Sequence, residues 1–356
     1  MTSAPPPAEL LLGRPEFAGD LAHAAEFVRD RRVLLTGAAG SIGAPLAHIL
    51  LAGRPASLAL LDHHEHSLFS LERALGATPG LAYELADVRD QPRLERIFNR
   101  QRPEIVIHLA AAKHVPYGER FPEGAVAANV LATQSLLELA DHGGVETFVY
   151  PSSDKSVQPP SVYGATKRLA EALVQNCAHN RRWAVVRYVN IIGTRGSVVE
   201  TFTQQVQANR PLSVTDERMT RYWISMDEAI WCALVTAQHA APGEVLMPAC
   251  GEPVPIIDTA RRLAGWYRPE QVRAPYPINR TGIRPGERLH EVLLSPNECF
   301  AESEATPPGL RAVRTTRDPA RLADLPNILA ELRRLIDADD RAGLARACLS
   351  AAEALQ

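Results

Sequence analysis

Arg32-Val-Leu-Leu-Thr-Gly-Ala-Ala-Gly-Ser-Ile-Gly43 joins a short apolar run to three glycines spaced three apart. The run predicts a buried strand, and the glycines a tight turn that opens a helix. At such a junction the backbone can approach a pyrophosphate, which the helix N-terminus attracts. Gly37, Gly40, Ser41, Ile42 and Gly43 are therefore candidate cofactor contacts. Outward from this stretch, apolar runs at Arg32–Leu35, Ser57–Leu61, Leu81–Ala86, Glu104–His108, Glu146–Tyr150 and Trp183–Tyr188 alternate with helix-period segments. Short buried strands alternating with helices predict an α/β fold, a Rossmann-type doubly wound parallel sheet with ligands at the C-terminal strand ends.

After Asn190 the rhythm breaks. Helices are expected at Thr201–Asn209 and Met226–His239, a strand near Glu244–Pro248, a Pro-rich stretch at Pro269–Pro277, and an amphipathic helical tail from about Leu325 to Leu355. The expected division is an N-terminal arm at 1–30, a dinucleotide-binding domain at 31–190 to which 226–248 returns, and, at 191–225 and 249–356, a smaller α/β portion for the substrate together with C-terminal helices. Within the arm, residues 1 to about 9 read as disordered, and Leu10–Asp30 as an extended piece followed by an amphipathic helix.

Composition narrows the function classes. The 356 residues are 46% hydrophobic and 22% charged, with a formal net charge of −3 and pI near 6.4, so no nucleic-acid footprint is visible. The N-terminus lacks a basic region followed by an apolar one, and no apolar run is long enough to span a membrane. Five scattered cysteines, an odd number without CxxC spacing, suit a reducing cytoplasm. His63, His64, Glu65 and His66 read as a solvated loop, not a metal site, and no metal is expected.

Asp62 closes the second strand, where a carboxylate can accept hydrogen bonds from an adenosine ribose and repel a 2′-phosphate, favouring NAD over NADP. Asp87 and Val88 after the third strand, and Ala110 and Ala111 after the fourth, complete the expected cofactor contacts. The chain has three lysines, Lys113, Lys155 and Lys167, against 35 arginines. Lysine can give up its proton when its surroundings pull its pKa down, and arginine cannot. Tyr163 and Lys167 lie four apart, on one helix face, where the ammonium is expected to lower the phenol pKa so that Tyr163 can act as a base. Ser153-Asp154-Lys155 adds a hydroxyl, an acid and an amine just before the tyrosine. An oxidoreductase has no need of that Asp–Lys pair, whereas a dehydratase needs one group to take a carbon-bound proton and another to protonate a leaving hydroxyl.

A glycine-rich loop with YxxxK marks the short-chain dehydrogenase/reductase superfamily. Further motifs make the chain resemble its polysaccharide-biosynthesis branch, the UDP-N-acetylglucosamine 4,6-dehydratases. They are His108-Leu-Ala-Ala-Ala-Lys-His-Val-Pro116, Ser152-Ser-Asp-Lys-Ser-Val-Gln-Pro159, Tyr163-Gly-Ala-Thr-Lys167, Gly193-Thr-Arg-Gly-Ser-Val-Val199, Met219-Thr-Arg-Tyr-Trp-Ile-Ser225 and Gly282-Ile-Arg-Pro-Gly-Glu-Arg-Leu-His-Glu291. The resemblance implies an extended short-chain fold that oxidises a UDP-sugar at C4, eliminates water across C5 and C6, and returns the hydride to C6. In it, Tyr163 with Lys167 deprotonates O4, Ser153 hydrogen-bonds the same oxygen, Lys155 takes the C5 proton with its own pKa lowered, and Asp154 protonates O6. Lys113, His114, Asn190, Ser197, Val198, Arg221, Arg284 and Glu287 are implied on the substrate side. A homo-oligomer is expected.

Some relatives carry a membrane-spanning half. Leu11-Leu-Gly-Arg-Pro15 and Cys250-Gly-Glu-Pro-Val254 are similar to the soluble half of that long type, while Tyr163 is similar to the short type, so the chain reads as a soluble hybrid. Tyr117, Gly118, Phe121 and Glu200 depart from the family pattern and bear on the choice of hexose. A 4-epimerase or a 5,6-dehydratase on the same scaffold, or a non-catalytic NAD sensor, are the competing readings.

Overall fold

The computed structural model describes residues 4–269, 276–301, 306–316 and 319–356; most of the Pro-rich stretch Pro269–Pro277 lies outside them. The first six expected strands form: β1 (Arg32–Thr36), β2 (Ser57–Asp62), β3 (Leu81–Leu85), β4 (Ile105–His108), β5 (Thr147–Ser153) and β6 (Arg182–Tyr188). There follow β7 (Asn190–Ile191), β8 (Leu212–Val214), β9 (Thr220–Arg221), β10 (Trp223–Ile224), β11 (Val245–Pro248), β12 (Val254–Pro255), β13 (Ile278–Arg280), β14 (Glu298–Ala301) and β15 (Leu310–Thr315). Nine of them make one sheet in the order β14-β15-β11-β6-β5-β4-β1-β2-β3. It is parallel from β3 to β11, and β15 and β14 extend it antiparallel. Chain order reverses between β1 and β4, which opens the crevice where a doubly wound sheet binds its ligand.

Both sheet faces are covered, so the strands are apolar throughout and their residues alternate between two cores. Leu34, Val106 and Phe148 enter one, and Val33, Leu35, Ile107 and Val149 the other. A third core around Phe202, Trp223, Ile256 and Leu263 belongs to the smaller portion.

The ends of the chain differ from their expected form. Residues Ala8–Leu12 are a helix whose Leu11 and Leu12 are buried in the third core. Gly13 and Pro15 stop that helix, and Arg14 anchors the arm through Glu228, at 2.6 and 3.0 Å. In place of one amphipathic helix the arm continues with single turns, Leu21–Ala24 and Ala25–Val28. The expected helix at Thr201–Asn209 runs Val198–Gln207, because the Ser197 hydroxyl accepts the Glu200 N–H and caps it. Met226–His239 forms as expected, behind a Ser225–Glu228 capping box. The tail divides into Leu325–Asp337 and Arg341–Ala354 at Asp339, whose φ is 51°.

That tail packs on the large sheet's side: Leu329, Leu332 and Leu344 share a core with Leu169 and Leu173 of the helix Val162–Cys177. With sheet on one side and tail on the other, that helix is buried from Val162 to Val174, charged residues included.

Candidate functional site

Gly37 has φ +67°, and a Cβ there would lie 2.6 Å from the Ala110 amide nitrogen, so only glycine lets the first loop rest on the loop after β4. Beneath it, the Thr36 hydroxyl lies 2.7 Å from His108 Nδ1, and His108 Nε2 lies 3.1 Å from the Thr133 hydroxyl. Burial pulls the His108 pKa down to about 3, with help from Lys167, so the imidazole is a neutral tie between β1 and β4. Asp62 is buried at the end of β2; one oxygen accepts the Ala39 N–H at 3.0 Å and the other the His64 N–H at 2.9 Å. A carboxylate has lone pairs to spare beyond those two bonds. A backbone cradle with an acid one strand away fits a dinucleotide. Asp87 is held low by hydrogen bonds from Arg89, and Val88 is buried in the core. His64 accepts the Ser67 N–H at 3.2 Å and so caps the helix Glu65–Leu75. Among the described residues no group of three or more His, Cys, Asp or Glu is placed to hold a metal ion.

The strand β5 delivers Ser153 and the turn Asp154–Ser156 into the adjoining cleft. Ser153 Oγ donates to Asp154 Oδ1 at 3.0 Å. Lys155 Nζ lies 3.0 Å from the same oxygen, 3.3 Å from Glu291 Oε1 and 3.4 Å from Asn190 Oδ1. Glu291 in turn lies 3.4 Å from Arg221 Nε. Asp154 is fully buried, and its Oδ2 has no hydrogen-bond partner among the described residues. Burial raises the Asp154 pKa, against the pull of Lys155. Lys155 departs from expectation: burial pulls its pKa down, but the Asp154 and Glu291 carboxylates outweigh it, and the net shift is upward.

Tyr163 comes from the helix Val162–Cys177, which Ser161 caps by accepting the Gly164 N–H at 3.1 Å. Gly164 permits the closest approach in the site, since a Cβ there would lie 2.1 Å from the Lys155 carbonyl oxygen. Burial raises the Tyr163 phenol pKa, and the cation that opposes this is Lys155, not Lys167 as expected. Lys167 is tied to the Pro151 carbonyl at 2.9 Å and lies over the Tyr150 ring, with burial lowering its pKa to about 7. Asn129 braces the helix: its amide holds both the N–H and C=O of Ala112 and donates to the Thr166 hydroxyl at 2.9 Å.

Of the substrate-side candidates, Asn190 and Arg221 join the Lys155 cluster. Asn190 also donates to the Tyr222 carbonyl, and Arg221 to the Thr220 and Leu289 carbonyls. Ser197 and Val198 begin the helix Val198–Gln207, where Glu200 reaches back to accept the Gly196 N–H. Lys113 donates to the Arg195 carbonyl, and His114 lies against Gly196. Arg284 is exposed on the rim, its backbone N–H bonded to the Glu287 carboxylate at 3.2 Å. From that same segment Glu291 and Arg288 reach inward, Arg288 to the carbonyls of Val157 and Gln158. Sequence reasoning missed Glu291, Arg288, Arg195 and Asn129. Glu291, Arg288 and Arg195 stand inside quoted motifs, but nothing in the string says which motif residue turns inward.

The family model for "Polysaccharide biosynthesis protein" matches residues 33–308. The chain is 39% identical over 303 residues to the probable polysaccharide biosynthesis protein EpsC of Bacillus subtilis (strain 168), covering 83% of this chain and 50% of that one. Over 281 residues it is 32% identical to a UDP-N-acetylglucosamine 4,6-dehydratase (inverting) of Campylobacter jejuni, covering 77% of this chain and 80% of that one. It thus spans about half the length of EpsC, and among the described residues no helix is long and apolar enough to cross a membrane. In fold it is similar to Pen from Bacillus thuringiensis, with a TM-score of 0.75, 25% identity and coverage of 82% and 90%. The UDP-glucose 4-epimerase of Thermus thermophilus, solved with NAD, gives a TM-score of 0.62 at 24% identity, covering 74% and 90%.

Proposed function

The chain belongs to the polysaccharide biosynthesis protein family, and we propose that it is an NAD-dependent nucleotide-sugar 4,6-dehydratase acting on UDP-N-acetylglucosamine. The observation that carries this reading is the Lys155–Asp154 contact of 3.0 Å beside Ser153, with Asp154 Oδ2 buried and unpartnered among the described residues. An epimerase on this scaffold has no use for a buried acid and amine side by side. The named relatives of each kind, a dehydratase and an epimerase, make both chemistries worth separating.

Bound NAD would supply the hydride acceptor for C4 and the hydride returned to C6. Asp62 and the glycine cradle would hold it, and Asp62 would repel a 2′-phosphate. Tyr163 removes the O4 proton while Ser153 hydrogen-bonds that oxygen. The C4 ketone makes the C5 proton acidic, and Lys155 in its neutral form takes it. Asp154 gives its proton to O6, the C6–O6 bond breaks, and water leaves with a C5–C6 double bond formed; when hydride is returned to C6, C5 takes a proton that has exchanged with solvent. One proton crossing the 3.0 Å contact turns the resting ion pair into a neutral amine and a neutral acid, which is the state both steps require. Burial favours that neutral pair. Ser197, Val198 and Arg284 suit the UDP diphosphate, with Lys113, Asn190 and Arg221 nearer the sugar.

Incubation with UDP-N-acetylglucosamine in deuterated water tests the reading. Loss of one water with one deuteron at C5, seen by mass spectrometry and NMR, is the expected result. Unchanged substrate, or a C4 epimer of unchanged mass, sinks it.

A further inference from the structure

Arg195 draws together four segments at the C-terminal edge of the sheet. Its backbone N–H donates to Ser41 Oγ at 3.0 Å, and its guanidinium to the Ala39 carbonyl at 2.6 Å and to Ser67 Oγ at 3.3 Å. Its own carbonyl accepts from Lys113 Nζ at 2.6 Å. These partners follow β1, β2 and β4, so the segment 193–197 lies across the crevice where chain order reverses. The Ala39 peptide is then held at both ends, by Asp62 on its N–H and Arg195 on its C=O. In these contacts both cations bond carbonyl and hydroxyl oxygens, not carboxylates. Among the described residues the hydrogen bonds of these two close positive groups go to neutral oxygens, and the Glu200 carboxylate acts on Lys113 from a distance; over a glycine cradle, such a pair matches a ligand that brings its own negative charge.

We propose that Arg195 is a strap that closes over the pyrophosphate of bound NAD and, with Lys113, keeps the cofactor in place between the two hydride transfers. The inference rests on the NAD reading above, and its account of why the cofactor must stay rests on the proposed dehydratase reaction. It also answers a chemical need: a cofactor that left after C4 oxidation would strand a keto-sugar and an enzyme unable to reduce C6. Arginine suits the task because its donor fork can exchange a carbonyl for phosphate oxygens without changing protonation.

The test measures NAD binding without sugar. Wild type, Arg195→Ala and Arg195→Lys are compared for NAD retained per chain after gel filtration and for NAD dissociation rate. Arg195→Ala is expected to weaken NAD binding by about 10- to 100-fold, the size of a lost hydrogen bond to a charged group, mostly through faster dissociation. Arg195→Lys, which keeps the charge and loses the fork, should fall between. Wild-type retention and off-rate in Arg195→Ala overturn the strap. A wild type that binds no NAD overturns the cofactor reading itself. Cofactor-free melting temperatures identify a folding defect; if Arg195→Ala has one, Arg195→Lys decides, and wild-type dissociation in it sinks the fork argument.

Discussion

Two clusters of four charges flank the turn Asp154–Ser156, each with two acids and two bases, and they are built to opposite ends. The front cluster is Asp154, Lys155, Arg221 and Glu291. The rear cluster is Arg168, Glu171, Arg187 and Glu298, joined to the same turn because Ser156 Oγ donates to Glu171 at 2.8 Å. In the rear, Arg187 grips Glu171 with two bonds of 2.9 and 3.0 Å and Glu298 with two of 3.0 Å, and Arg168 adds the Leu355 carbonyl of the tail. Burial pushes Glu171 up, but Arg187 and Arg168 hold it down at about 2. In the front a lysine takes the place of one arginine, one carboxylate oxygen is left unpartnered, and the buried acid is shifted up. Arginine keeps its proton and matches a carboxylate with two bonds, so the rear cluster holds the helix Val162–Cys177, β6, β14 and the tail in one arrangement. Lysine can release its proton, and it stands where the proposed chemistry requires that.

The contrast breaks most visibly at Lys155. Lys155→Met should lower water elimination by about 10²- to 10⁴-fold, the usual contribution of a positioned acid–base group, while reduction of bound nicotinamide by substrate persists. Product mass and nicotinamide absorbance after rapid mixing read the two events separately. Wild-type water loss in this variant would mean that the front cluster is structural after all.

At the rear, Glu171→Gln leaves two buried arginines short of a carboxylate and should cost about 3–5 kcal/mol in urea unfolding. The sign of its pH dependence follows from a folded pKa below the ordinary glutamate value. The stabilisation from Glu171 is complete above about 4.5 and fades as pH falls toward about 2, because the unfolded chain then binds the proton first. The variant should therefore show a flatter loss of stability on acidification. Equal stability and an unchanged acid limb would show that the rear charges do not fasten the helix.

The front half of this comparison was largely legible in the sequence, and the rear half was not. Gly37, Ser153, Asp154, Lys155, Tyr163 and Lys167 announce themselves because turn geometry and helix spacing fix them locally. Glu291 reaches Lys155 from a segment far along the chain, and Glu298 reaches Arg187 from β14; no local period encodes such meetings. Arg168 and Glu171 stand three apart on the helix Val162–Cys177, and nothing in the sequence marks that the tail will cover them. Proton affinities were misjudged for the same reason. Burial and nearby positive charge predict a low Lys155 pKa, but Asp154 and a second carboxylate, Glu291, which only tertiary packing supplies, together outweigh that burial.

That second carboxylate provides the finest test. Glu291 holds the Lys155 proton in place, so replacing it by the isosteric glutamine removes an attraction for the charged form and lowers the Lys155 pKa. Asp154 can deliver its proton only while the Asp154–Lys155 pair still holds one between them, so loss of that proton sets the alkaline, falling limb of kcat against pH, and Glu291→Gln should move that limb to lower pH. Arg221 would lose its carboxylate in the same step, and a rise in KM of less than about tenfold is expected as the substrate side loosens. A residue that merely packs would change KM and leave the limb unmoved. A shifted limb makes Glu291 the group that sets when Lys155 can work, and an unmoved one returns it to the structural role that Glu171 plays behind the turn.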